Sequence, residues 1–509
     1  MTDTAANNRR IAKNTVFLYF RMLITMLVAL YTSRVILDSL GIVDFGIYNV
    51  VGGMVTMFAF FSSSLSNATQ RFLNFKLGEN DAEGTNHVFN LSLLIYFIIS
   101  IVVLIAAEII GLWLLYNKLV IPPERMDAAF WVMQATIVSL FVTLNGIVFN
   151  SMLIAKENMK IYAYIGIIEA CAKLAIAFAI ASPPFDKLKM YSVLLLAVTV
   201  CIQSFYAIVC YRKYAECRFK PHWDRTLFTE MFKFAGWNGF STLIWAINDQ
   251  GSTILLNIFF GPAVNAAKGV ANQVNGAVSQ FTNNFFTAVR PQIVKSYASG
   301  DTTYFRQLIF NSTRFSIYLM LLLCLPIIYK SEYILSLWLI DVPGYAPEFV
   351  NLILCYSLVF TLTCPWWAAI QAIGKLKKYI LVGDTIYLMA FPASLICLYH
   401  GATPTVVFKS LIIARLIYSV AVIRITSSYI PFSYKEFFKT TVFPIIKVTL
   451  ASFLCIYFVN RLFQDTFAGL IAFVAASIIC TSAIIFLLGL KQNERRQTIN
   501  KIIRLLHRK

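Results

Sequence analysis

Apolar residues run through this chain in long blocks, about fourteen of them, separated by short polar gaps almost from end to end. The blocks lie near 14–37, 46–66, 88–114, 128–152, 161–181, 190–211, 234–260, 264–289, 308–328, 348–373, 379–399, 404–429, 440–459 and 468–490. Each approaches or exceeds the roughly 20 apolar residues that carry a helix across bilayer hydrocarbon. They are too long and uninterrupted for barrel strands, and inside lipid only helices or closed barrels satisfy the backbone. The pattern predicts an all-α polytopic membrane protein. Arg9, Arg10 and Lys13 precede a first block of full spanning length, which reads as a helix that stays in the membrane rather than as a cleaved signal.

Composition repeats this reading by an independent route. The 509 residues are 59% hydrophobic and only 13% charged, against about 25% charged in soluble domains. Most of the Lys and Arg outside the blocks lie at the N-terminus, in the even-numbered connections and in the C-terminal tail. The odd-numbered connections hold six: Lys118, Arg125, Lys187, Lys189, Lys330 and Arg461. Positive charge marks cytoplasmic loops, so both termini are expected in the cytoplasm of a cytoplasmic (inner) membrane, which requires an even number of spans. The net charge of +19 then reflects topology and attraction to anionic lipid, not nucleic acid binding. The basic tail 491–509 fits a short amphipathic helix on the inner leaflet.

Ten cysteines sit almost entirely inside the blocks without CxxC spacing, and four histidines (His87, His222, His400, His507) are scattered. The cysteines read as small buried hydrophobes. No metal, cofactor or catalytic cluster is expected from either set.

Two stretches, one near the start of the chain and one past its middle, share a pattern. YTSRVILDSLGIVDFGIYNVVGG (Tyr31–Gly53) leads to ATQRFLNFKLGEND (Ala68–Asp81). The second is FGPAVNAAKGVANQVNGAVSQFTNNFFTAVRPQIVKSYASGD (Phe260–Asp301). In each, a glycine-containing turn opens a polar, small-residue-rich helix that ends in an Arg (Arg71, Arg290), followed by a loop with Gly next to acid. This predicts an internal repeat of six spans plus six. The expected lobes are 1–211 and 234–430, joined by a cytoplasmic linker 212–233. Peripheral spans 13 and 14 occupy 431–490, and the basic tail follows.

Polar residues on one face of a membrane helix betray a water-filled path or a packing seam. On the block 264–289, Asn265, Lys268, Asn272, Asn275, Ser279 and Asn283 recur every three or four residues, which places them on one face. The block 234–260 carries Asn238, Ser241, Trp245, Asn248 and Ser252 in the same way, with Asp249 and Gln250 alongside. Arg21 lies deep in the first block, Arg34 near its outer end, and Arg415 near the middle of the twelfth. Arg21, Lys268, Arg34, Arg415, Asn272, Asn275 and Asn248 are therefore candidate substrate-cavity residues. Asp249 is a candidate for ion coupling, by sodium or a proton, or for pairing with a Lys. Arg71 and Arg290 are candidate cytoplasmic gates, or simple positive-inside anchors. Glu169 and Lys173 are spaced to neutralise each other; Glu108 and Asp384 are single intramembrane acids. The balance leans cationic, which suits an anionic substrate group such as phosphate or pyrophosphate.

The strings SRVILDSLGIVDFGIYNVVGG and SNATQRFLNFKLGEND closely resemble the opening of bacterial polysaccharide biosynthesis flippases of the Wzx type, in the multidrug/oligosaccharidyl-lipid/polysaccharide (MOP) superfamily. The clearest match covers Tyr31–Asp81; the rest agrees in span count, repeat and two extra C-terminal spans. The resemblance implies a two-lobe transporter that works by alternating access. It would move an undecaprenyl-pyrophosphate-linked oligosaccharide from the inner to the outer leaflet for O-antigen, capsule or exopolysaccharide assembly, with the polysaccharide polymerase machinery as a further partner. Arg21 and Lys268 lie in the spans, first and eighth, where related flippases carry basic cavity residues. No basic residue lies in the middle of span 2, where peptidoglycan-precursor flippases have one, which counts against that precursor. A cation-coupled multidrug exporter shares the fold, but would need an acid-rich cavity. An enzyme of the same pathway (polymerase, ligase or acyltransferase) would need a large loop with catalytic residues, and the longest external connection, near 330–347, has no His and no paired Arg.

Overall fold

The computed structural model describes residues 2–59, 66, 69–70, 72–77, 79, 81–156, 158–180, 185–220, 223–298, 300–496 and 499–500. Within these, side chains are described except at 2–23, 159, 232–235, 237–238, 284, 287–288, 291, 295 and 298. The long helices are α1 (Thr2–Thr56), α2 (Ala82–Asn117), α3 (Met126–Ala155), α4 (Met159–Ala179), α5 (Lys187–Lys213), α6 (Arg225–Phe260), α7 (Pro262–Ala298) and α8 (Thr302–Tyr329). Shorter helices follow: α9 (Ser331–Trp338), α10 (Ala346–Thr361), α11 (Cys364–Ile373), α12 (Leu376–Tyr379), α13 (Thr385–Leu388) and α14 (Ala390–Tyr399). The chain closes with α15 (Val406–Ser427), α16 (Tyr434–Phe437), α17 (Phe443–Asn460) and α18 (Phe467–Ile484). Single π turns sit at Ile380–Asp384, Phe438–Val442 and Ile485–Gly489. Among the described residues no strand occurs. The all-α membrane architecture expected from the sequence is therefore the one observed.

Eleven stretches among the described residues are long and apolar enough to cross a membrane. The difference from about fourteen sequence blocks has physical causes. Block 14–37 and the first part of block 46–66 fall on α1, whose described side chains enter as one stretch, Ile24–Thr56, although the backbone breaks at Gly41. Helices α6 and α7 have 36 and 37 residues, ample length, but their Asn, Asp, Gln and Lys residues lower their hydropathy.

Local chemistry sets where helices begin. Asp81 accepts the Gly84 N–H, Asp186 those of Leu188 and Lys189, Asp224 those of Thr226 and Leu227, and Asp301 that of Tyr304. Such caps stabilise a helix by about 1 kcal/mol each.

A local pattern recurs in the backbone of the two stretches. Gly41 has φ 77 and ψ 170, and Gly261 has φ 79 and ψ −177. Both sit in the left-handed half of φ space that favours glycine, and each joins two helices. Asp81 follows Gly41 at the same spacing as Asp301 follows Gly261, and each Asp caps the next long helix.

By internal packing the chain divides into two units. The first comprises 1–270, 339–344 and 391–404; the second comprises 271–338, 345–390 and 405–509. In the first, α3 packs along α5, α1 along α4, and α2 along α3. Its core includes Ile47, Val50, Met54, Ala107, Val132, Met133 and Leu144. In the second, α8 is the central rod. It packs against α10, α17 and α18, with Leu321, Leu325, Val448, Ile456 and Phe473 buried at the seam.

The linker residues just after α5 are pinned rather than loose. Asn86 on α2 donates to the carbonyls of Glu216 (2.7 Å) and Arg218 (2.8 Å), and Asn90 accepts the Lys220 N–H (2.9 Å). Lys156 pairs with Glu216 at 2.6 Å.

Candidate functional site

In the first unit, the family-like string from Gly41 onwards is a packing face aimed at α6 and α7. A Cβ at Gly46 would lie 1.8 Å from the Pro262 carbonyl oxygen, and one at Gly269 would lie 2.8 Å from the Asn49 amide. Small residues let membrane helices approach this closely. Just before the first contact, the string's Asp44 meets Arg125. The guanidinium donates to Asp44 Oδ1 (2.8 Å) and Oδ2 (2.6 Å), and to Asp186 Oδ2 (2.6 Å) and Oδ1 (3.1 Å). One Arg thus ties α1, the turn before α3 and the cap of α5. In the sequence it counted only as a charge in an odd-numbered connection, because both acids are remote from it along the chain.

The turn at Gly261 brings α6 and the start of α7 side by side as a hairpin. Lys268 is buried there, 3% exposed. Its Nζ donates to the Asp249 carbonyl and to Thr253 Oγ1 (2.7 Å), and lies 3.4 Å from Asp249 Oδ1. The Asp249 side chain is 57% exposed and accepts from Gln250 Nε2 at 2.9 Å. Of the roles open to Asp249, pairing with Lys is the one the geometry displays. The ammonium is correspondingly compensated: the hairpin presents an exposed carboxylate backed by a buried cation.

Of the polar face read on 234–260, Asn248 and Ser252 are turned inward, Ser241 and Trp245 are half-buried, and the Asn238 side chain lies outside the described residues. Asn248 is 0% exposed and donates to the Ile244 carbonyl at 3.3 Å, and the buried Ser252 hydroxyl donates to the Asn248 carbonyl. Asn248 is therefore a packing residue rather than part of an open surface. Asn257, one turn before Gly261, accepts the Val120 N–H at 2.8 Å and anchors the connection after α2. The buried amide of Asn265 has no hydrogen-bond partner among the described residues. Arg34 is half-buried. The side chain of Arg21 and the whole of Arg71 lie outside the described residues. Glu108 accepts from Gln134 Nε2 at 3.0 Å, and Glu169 pairs with Lys173 at 2.7 Å.

In the second unit, α7 carries an exposed polar stripe. Asn272, Gly276, Gln280 and Asn283 are exposed, and their spacing confines them to one face. Asn275, at the edge of that face, is half-buried and accepts from Ser357 and, at 3.3 Å, from Ser279. Between Gly269 and Val289 the helix carries no charged residue. Arg290 donates to Gln371 at an exposed position.

Arg415 is enclosed rather than open. It is 2% exposed, and its guanidinium lies over the rings of Tyr418 (4.2 Å), Phe360 (4.6 Å) and Tyr387 (5.8 Å) and donates to Thr363. Tyr418 donates to Tyr379 at 2.7 Å, and Asp384 is fully buried. Stacking on aromatic faces is how Arg tolerates burial, and the arrangement is internal to the unit. No spacing rule announces it, since its members are scattered from Phe360 on α10 to Tyr418 on α15.

Residues 11–297 match the family model described as "Polysaccharide biosynthesis protein". No curated protein matches the chain. Among solved structures, the chain is similar to one described as "Lipid II flippase MurJ, inward closed conformation", at 14% identity and TM-score 0.68, over 93% of this chain and 99% of that one. It is also similar to an inward-facing multidrug resistance MATE family transporter of the MOP superfamily, at 13% identity and TM-score 0.65, over 82% and 96% of the two chains. A MOP superfamily transporter from Pyrococcus furiosus aligns at 14% identity and TM-score 0.62, over 84% and 96%. These neighbours share the fold, and their descriptions name transporters and a flippase rather than enzymes.

Proposed function

The chain belongs to the polysaccharide biosynthesis protein family, and we propose that it is a flippase that carries an undecaprenyl-pyrophosphate-linked oligosaccharide from the inner to the outer leaflet of the cytoplasmic membrane. The observation that carries this reading is the uncharged polar stripe Asn272–Asn283 on α7. Amide side chains donate and accept hydrogen bonds at once, which suits sugar hydroxyls and gives little to an apolar cationic drug. The lobes 1–211 and 234–430, with 431–490 peripheral and both termini cytoplasmic, are part of the same proposal, as are Arg71 and Arg290 at the cytoplasmic ends.

Charge handling follows from the α6–α7 hairpin. Arg21 and Arg34 supply cations for the pyrophosphate, and Arg415 is a structural charge. Lys268 and Asp249 act as one unit. A sodium ion or proton arriving at the exposed Asp249 carboxylate competes with the Lys268 ammonium, so the Lys charge becomes available to an anionic group. Ion and substrate would then favour each other's binding by the same factor, as linkage requires.

The test is leaflet exchange of a fluorescent undecaprenyl-pyrophosphate oligosaccharide in liposomes. Transport by wild type, with loss in Arg21→Ala and loss of ion dependence in Asp249→Asn, is the expected result. Export of cationic dyes under an ion gradient, with no movement of the lipid-linked sugar, would overturn the reading.

A further inference from the structure

The stretch Tyr434–Asn460 is among those long and apolar enough to span a membrane, yet Lys447 stands at its centre and is exposed. Its exposed neighbours on the same side are apolar: Phe443 (43%), Leu450 (67%) and Leu454 (61%). The ammonium rests 4.3 Å from the Phe443 ring centroid. An ionised lysine on a lipid-facing surface is costly unless it reaches a counter-charge.

A second lysine shares that face. The π turn Phe438–Val442 holds one residue more than an α-turn. The eight positions from Lys439 to Lys447 therefore amount to about two full turns, and both lysines are exposed. Their Cα atoms are about 12 Å apart along the axis. Lysine stems snorkel along apolar surface, and two stems of roughly 6 Å each converge on a point between them. Helix α17 packs antiparallel to α18 and against the π turn Ile485–Gly489, so the exposed Lys491 lies at the same end of the pair as Lys439.

We propose that this surface is a binding site for the phosphate of an anionic bilayer phospholipid, gripped between Lys439 and Lys447 with Lys491 as a third charge. The acyl chains lie along the exposed Leu450 and Leu454. Charge complementarity selects the occupant: an apolar surface with two to three convergent cations and no acid between Lys439 and Lys447.

Native mass spectrometry of the detergent-solubilised protein, titrated with phosphatidylglycerol and separately with phosphatidylcholine, tests the site. Wild type is expected to retain phosphatidylglycerol preferentially. Lys447→Leu and Lys439→Gln are each expected to lower its occupancy about fivefold, the weight of one lysine at a membrane surface. Lys213→Gln, the same charge loss at the end of α5, should leave it unchanged. Leucine suits an apolar surface, so Lys447→Leu should stay folded, and a monodisperse elution profile checks that. Equal occupancy in wild type and Lys447→Leu would overturn the proposal. So would an equal loss in Lys213→Gln, which would mean diffuse attraction, or displacement of phosphatidylglycerol by equimolar undecaprenyl phosphate, which would assign the surface to the carrier lipid.

Discussion

Replacing Gly46 by alanine adds a single methyl group where α1 meets Pro262 at the start of α7. The added Cβ would stand 1.8 Å from the Pro262 oxygen and 2.5 Å from its carbon, both backbone atoms. Ordinary contact begins near 3.4 Å, so the helices would have to part by about 1.5 Å, and a gap of that size forfeits much of the dispersion along the seam. Overpacking of this kind costs about 1–3 kcal/mol, against a gain of about 1 kcal/mol from replacing glycine in a helix. Gly52, further along the same helix, has nothing within 4 Å of an added Cβ, so Gly52→Ala keeps the gain without the clash. The gain is common to both variants, so they should differ by the overpacking cost alone, about 1–3 kcal/mol, with Gly46→Ala at or below wild type and Gly52→Ala above it. Heating the detergent-solubilised protein and measuring the fraction that remains monodisperse reads this order directly. Equal thermal survival of the two variants would refute the packing argument, since only the Pro262 contact distinguishes them.

Two further outcomes follow from charge placement. Arg314 on α8 is 1% exposed and its guanidinium is met by Glu494 and the Gly489 carbonyl. Glu494→Ala leaves the buried guanidinium without its counter-charge, a loss of about 3–5 kcal/mol for a fully buried pair and toward the low end here because Gly489 and Asn311 still accept from it; Arg314→Met added to it should recover most of that loss in the same heating assay. For Asp186, burial raises the carboxyl's pKa, but the Arg125 hydrogen bond and charge, with the Lys189 and Leu188 amides, outweigh it and hold the group below its ordinary value. Its contribution to stability is thus present above the unfolded value of about 3.9 and is lost as pH falls through the lower folded value. Asp186→Asn should flatten the acid limb of thermal survival, and an unchanged limb would show that the Arg125 clamp is not coupled to stability.

Much of this protein is legible in one dimension. Spanning helices follow from long apolar blocks because a bilayer enforces local rules on each segment: length, apolarity and a backbone satisfied within itself. Gly41 and Gly261, and Asp81 and Asp301, were visible as a repeated pattern because turn geometry and helix capping depend on residue type at one position. Whether a polar residue is open or spent is a different kind of fact. The same three- and four-residue spacing that exposes Asn272 and Asn283 buries Asn248 and Ser252, because periodicity places residues on a face but does not say what the face meets. Arg125 looked like a stray loop charge until the fold brought Asp44 and Asp186 to it. Lys268 looked like a free cation until the Gly261 turn laid it against Asp249 and Thr253, and Arg415 proved to be wrapped in tyrosines and Phe360. Residue type dictates which groups must be satisfied; only the tertiary structure decides by whom, because the partner of a buried charge is set by distance in space and not along the chain.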